Sequence, residues 1–268
     1  MELACCALIL CIFWNIGIAG FERSEDSLWY QMYKGNAIQQ KQFSLCFQQP
    51  TVPHLPGKPA GVIVLGGTDE KLNQEQMVYA QLVTDGPWFT IYVEAIYLEL
   101  VTKKSDGSKV TRIEQLQGMN MTQFNEGEII IDSGSTDNYL PNTMRKPLEN
   151  AWQALMGKRY NASKVYSADE SYPNMVFQLK AAKVLDKEGA QVGSAAAFDA
   201  DRPNDVIIRM PPENFMIEEE GGYSSLYMDD DPEEGGILGA QAMKGKNILF
   251  DDDNSRVGFA TSKCQVST

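Results

Sequence analysis

The apolar residues of this chain fall in many short runs, and that spacing limits the fold more than any other feature. Residues 43–47, 61–65, 128–131, 175–179, 206–208, 236–239, 247–250 and 256–260 are each strand-length, and most have Gly, Pro, Asn or Asp, the residues that make turns, at one end or both. Residues 61–65 read as a buried strand ending in the turn Gly66-Gly67. Residues 88–101 read as one longer strand with Phe89, Ile91, Val93 and Ala95 on one face. Asp106-Gly107, between Lys103 and Lys109, has hairpin-turn chemistry. One helix is well supported: Asn142 or Thr143 as cap, a stripe of Met144, Leu148, Trp152 and Leu155 at helical spacing, and Gly157 as stop. A shorter helix capped by Ser24 would turn Leu28, Trp29, Met32 and Tyr33 inward before Gly35. Many short strands with few helices make an all-β chain.

With 268 residues the chain suffices for one large domain or two small ones. Its formal net charge of −13 argues against nucleic acid and anionic membrane as partners. Scarcity of histidine excludes more. His54 is the 1 histidine, in a Pro-rich stretch without a nucleophile motif, so Ser-His-Asp and Cys-His mechanisms have no place to run. No Cys/His cluster has zinc spacing, and no Gly-rich phosphate loop occurs, so neither metal nor cofactor is expected. The acidic runs at 229–234 and 251–253 lack the spacing of a calcium loop and read as solvated turns. If the chain is an enzyme, carboxylates are the chemistry left.

Residues 3–13 are continuously apolar, yet the chain starts Met-Glu, without the positive region of a secretory signal. Signal, membrane anchor and misread start are all open readings of that run. Any membrane contact would have to come through residues 3–20.

Asp132 stands where a buried strand ends and Ser133-Gly134-Ser135-Thr136 begins. Gly134 allows a sharp turn that brings its N–H to the carboxylate, and the Ser133 and Ser135 hydroxyls can donate to it. On these residues alone an ordinary Asx-type turn is the better reading.

Context changes that reading. The stretch Ile129 to Pro141 resembles the second active-site motif of the pepsin-like aspartic endopeptidases, family A1. Further elements match in order: Leu65-Gly-Gly-Thr-Asp69, the strands at 79–82 and 88–93, Tyr172 to Phe177, Ile237-Leu238-Gly239, and the ending at 248–251 and 256–260. Asn15 to Phe21 is similar to the matching hydrophobic-Gly element of that family's amino-terminal lobe. The resemblance implies a pepsin-like fold, essentially one lobe with its psi-loop, the first catalytic motif and the flap being absent. It implies residues 1–13 as the apolar start, 14–80 as a remnant of the amino-terminal lobe with interlobe strands, and 81–268 as the carboxy-terminal catalytic lobe. Asp132 would be catalytic, at the floor of an open groove. Ser133, Gly134, Ser135 and Thr136 would form the active-site loop, supported beneath by Ile237, Leu238 and Gly239.

The same resemblance, in its beta-secretase-like branch, implies a disulfide between Cys46 and Cys264 and hence an oxidising compartment. The expected location is the secretory pathway, extracellular or endolysosomal to vacuolar, and the expected partner a peptide or protein substrate. Asn120-Met-Thr and Asn161-Ala-Ser are sequons that agree with it. Two facing carboxylates perform the family's reaction, and this sequence holds a single Asp-Ser-Gly. The leading expectation is an incomplete chain of an active protease, inactive alone. The alternatives are a non-catalytic peptide-binding relative and, ranked last, an enzyme formed by two copies pairing their Asp132 residues.

Overall fold

The computed structural model describes residues 7–12, 15–49, 60–83, 85–161, 164–167, 170–183, 193–219, 222–224, 228–229 and 235–265. His54, the sequon residues Ala162 and Ser163, and most of the 229–234 acidic run lie outside the described residues. Two sheets organise the rest. The larger has 8 strands, in the order Gly236–Leu238, Ile129–Ile131, Thr90–Ile91, Val78–Val83, Arg256–Thr261, Lys246–Asp251, Gln42–Phe47 and Gly61–Leu65. Its pairs are antiparallel except the first, which is parallel. The smaller has 4 strands, Val206–Met210, Asn174–Leu179, Val93–Lys103 and Lys109–Gln115, all antiparallel.

Aromatic packing closes the large sheet's core. Phe43 and Phe250 stack with ring centroids 4.7 Å apart, Phe89 meets Phe250 edge-on at 4.8 Å, and Phe21 meets Phe43 at 4.9 Å. Trp29 is fully buried beside them. The helix Arg145–Met156 lays its Met144–Leu148–Trp152–Leu155 stripe on the smaller sheet, with none of the four more than 2% exposed. Its stop is the expected one, since Gly157 adopts φ 65°, a conformation that a side chain disfavours. Its start differs: a 3-10 turn over Asn142–Met144 precedes it, the cap position falls on Met144, and Asn142 accepts from Arg145 Nε.

Four further expectations need correction. Residues 88–101 are two strands, Thr90–Ile91 in the large sheet and Val93–Lys103 in the small one. Asn125 forces the break, its side-chain amide exchanging two 2.8 Å hydrogen bonds with the backbone of Val93. Phe89, Ile91 and Val93 enter the main core, whereas Ala95 packs with Tyr97, Val176 and Ile207 elsewhere, because the register slips between Val93 and Ala95, opposite Leu179 and Gln178. The Gly61–Leu65 strand is a half-buried edge, with Ile63 39% exposed. The short helix Leu28–Lys34 begins after Ser27, not Ser24, without a side-chain cap; within it Trp29 alone is buried and Leu28 faces solvent. Asp251 is 0% exposed, because it ends a strand among the donors Gln42, Asn254 and Arg256.

Within the apolar start, Ala7–Ile12 and Asn15–Gly20 pair as an antiparallel hairpin. Among the described residues no helix is long and apolar enough to cross a membrane.

Candidate active site

A three-residue buried strand delivers Asp132. Ile129 and Ile131, on one face of the strand, are 0% and 1% exposed and Ile130 is half-buried, so packing fixes the strand end before the loop begins. Parallel pairing sets Ile237 beside Ile130 and Leu238 beside Ile131. One residue further on, the Asp132 N–H donates to the Leu238 carbonyl at 3.0 Å.

The carboxylate is held from two directions. Gly134 N–H donates to Oδ1 at 2.8 Å, and the Ser135 hydroxyl donates to Oδ2 at 2.8 Å. Charge-assisted bonds of this kind are about twice as strong as neutral ones and fix the plane of the carboxyl group. Asp132 itself is 2% exposed, drawn against the loop by these two bonds. Ser133, Gly134 and Ser135 are half-buried, and Thr136 is exposed.

Below the loop the chain crosses itself. Ala240 and Gln241 donate their N–H groups to the carbonyls of Ser135 and Thr136 at 2.8 and 3.1 Å. Tyr139 and Ile237 exchange two backbone bonds, at 2.9 and 2.7 Å. The structure therefore brings together Asp132, Ser133, Gly134, Ser135 and Thr136 above Ile237, Leu238 and Gly239. Sequence reasoning missed Asn138, whose side chain accepts from Gly239 N–H at 3.0 Å and donates to the Asn214 carbonyl at 2.7 Å. The signal was thin: one amide in a loop, with partners far away in the chain.

Cys46 and Cys264 form a disulfide with Cα atoms 5.2 Å apart, joining the Gln42–Phe47 strand to the segment after the last strand. Asn120 and Asn161 are both exposed, and Asn120 also caps the helix Met121–Glu126 through its side-chain oxygen.

Comparison with known proteins places this geometry. The family described as eukaryotic aspartyl protease matches residues 16–262. Plasmepsin VII of Plasmodium falciparum (isolate NF54) is 26% identical over 217 residues, which cover 77% of this chain and 44% of that protein. A beta-secretase of Strongylocentrotus purpuratus is 24% identical over 213 residues, covering 76% of this chain and 36% of that protein. Aspartic protease 5 of Toxoplasma gondii is 40% identical over a shorter stretch of 53 residues. The chain thus spans less than half the length of these relatives. A mostly-β fold, an Asp-Ser-Gly loop crossed from beneath and a family match across most of the sequence agree: the chain belongs to the eukaryotic aspartyl proteases, of pepsin-like type.

Proposed function

We propose that this chain is the part of a pepsin-like peptidase that supplies one of two catalytic aspartates, Asp132, to the hydrolysis of peptide bonds at acidic pH. The observation that carries the reading is the Asp132 carboxylate, held on one oxygen by Gly134 N–H and on the other by the Ser135 hydroxyl. A catalytic carboxylate must be fixed in plane before substrate arrives, because misplacement by about 1 Å can cost a hundredfold in rate.

The reaction needs a second carboxylate. One member of the pair takes a proton from the attacking water, and the other, protonated, polarises the peptide carbonyl. Asp132 cannot fill both roles, and residues 1–268 hold one Asp-Ser-Gly. In this reading the partner aspartate lies outside these residues, 81–268 form the lobe around Asp132, and 14–80 supply its connection to the other lobe. The substrate is a peptide or protein. The Cys46–Cys264 disulfide supports residence in the secretory pathway, in an extracellular or endolysosomal to vacuolar compartment.

The test is to join the chain to a segment bearing a second Asp-[Ser/Thr]-Gly and assay peptide cleavage at acidic pH. Asp132→Asn should abolish cleavage and leave the disulfide and circular-dichroism spectrum unchanged, since the amide is nearly isosteric. Pepstatin, which resembles the tetrahedral intermediate, should inhibit the parent. Cleavage at the parent rate by Asp132→Asn would remove Asp132 from the mechanism.

A further inference from the structure

Asn138 is polar, 4% exposed, and engaged at both ends of its amide. Its Oδ1 accepts from Gly239, 101 residues away, and its Nδ2 donates to Asn214, 76 residues away. Asn214, itself 1% exposed, sits in the short helix Pro212–Phe215 and is anchored in turn by Gln49, whose Nε2 donates to its Oδ1 at 2.9 Å.

The Gly239 N–H and the Leu238 carbonyl belong to one peptide unit. That unit is planar and rigid, so fixing one end orients the other. Its carbonyl accepts the Asp132 N–H at 3.0 Å, while its N–H meets Asn138 at 3.0 Å. The strand, the peptide plane and the Asn138 amide therefore run in series: Asp132 N–H to Leu238 carbonyl, Gly239 N–H to Asn138 Oδ1, Asn138 Nδ2 to Asn214 carbonyl. In a buried site each such bond polarises the next. Loss of the Asn138 clamp leaves the Gly239 N–H unpaired and the peptide plane beneath Asp132 held at its carbonyl end alone.

We propose that Asn138 is a positioning residue for Asp132, acting through the Leu238–Gly239 peptide plane; its effect on turnover rests on Asp132 being catalytic. The charged groups around the clamp are Asp132 and Asp137 on its own loop, Glu213 beside Asn214, and Lys244, whose carbonyl accepts from Asn214 Nδ2 at 3.4 Å. None of them is a partner of the Asn138 amide, so a new carboxylate at 138 would report on the clamp itself.

Two variants of the chain decide it, read by the exchange protection of the Asp132 and Gly239 amides. Asn138→Leu should lose about tenfold to a hundredfold of protection at both amides at every pH, the factor that goes with a lost buried hydrogen bond. Asn138→Asp should lose protection at neutral pH, where its carboxylate still accepts from the Gly239 N–H but cannot donate to the Asn214 carbonyl and is repelled by it. It should recover as the pH falls, where the acid form, favoured by burial, both donates and accepts. Unchanged protection in both variants overturns the proposal, and so does an aspartate variant that fails to recover in acid. If Asn138→Leu does not fold, the aspartate variant at two pH values carries the test. In the chain joined to a second aspartate segment, Asn138→Leu should lower kcat at least tenfold and leave KM in place. A loss confined to KM would make Asn138 structural only. If the joined parent itself fails to cleave, the catalytic reading fails, while amide exchange still decides the clamp.

Discussion

Gly239 approaches Asp137 so closely that a Cβ on the glycine would stand 2.2 Å from the Asp137 carbonyl oxygen, and 2.7 Å from that of Ser135. Both obstacles are backbone of the loop that carries Asp132, so neither can step aside as a side-chain end could. Gly239→Ala should therefore push the loop off the crossing strand and destabilise the fold by about 1–3 kcal/mol, as overpacking does. Urea unfolding measures it, and a neutral result would show that the crossing is looser than described.

Arg256 is the charge partner of a carboxylate with no access to water. Its Nε lies 2.6 Å from Asp251 Oδ2, and its guanidinium covers the Tyr79 ring at 4.0 Å. Arg256→Leu would leave Asp251 buried with only the Gln42 and Asn254 amides and backbone. A loss of about 3–5 kcal/mol is expected. Asp251→Asn in the same background should restore part of it, measured by the same unfolding experiment.

Glu128 takes φ 62° just before the strand that leads to Asp132, directly after the helix Met121–Glu126. Glycine belongs at that left-handed position, and here Gly127 stands one residue too early. Glu128→Gly should raise stability by about 1 kcal/mol, read as a shift in urea midpoint at constant slope.

Burial lowers the Lys246 ammonium from the ordinary 10.5 to about 8, with Nζ donating to the Ala242 and Lys244 carbonyls at 3.1 and 3.3 Å. Between about 8 and 10.5 the unfolded chain keeps a proton that the folded chain has released. Stability from this group therefore rises with pH through that window. Wild type should gain on Lys246→Met from pH 8 to 10.5 and hold a constant gap below pH 8. A gap that stays flat across the window contradicts the buried ammonium.

Local chemistry was legible in the sequence where it alone decides the outcome. The Asp106-Gly107 turn joins Lys103 to Lys109, and the Met144-to-Leu155 stripe is buried, because turn propensity and helical periodicity act over a few residues. The Asp132 loop was recognisable only through its resemblance to a family motif, since its own five residues read as an ordinary Asx-type turn. The break at Tyr92 was hidden, since an amide at Asn125 makes it. The burial of Asp251 depends on Arg256 and Gln42 converging from two other strands, which the acidic run 251–253 does not reveal. Asn138 was hidden most completely, as both its partners arrive from distant segments and a single polar residue has no period to betray it.

The central claim is that Asp132 is half of a catalytic pair. The most direct measurement is peptide hydrolysis by purified residues 1–268 across pH and protein concentration, alone and then joined to a segment carrying the second aspartate. The chain alone should show no hydrolysis at any pH, and pepstatin-sensitive cleavage at acidic pH should appear once the second carboxylate is supplied. Pepstatin-sensitive cleavage by residues 1–268 alone, at a rate rising with the square of protein concentration, would contradict it and show two copies pairing their Asp132 residues.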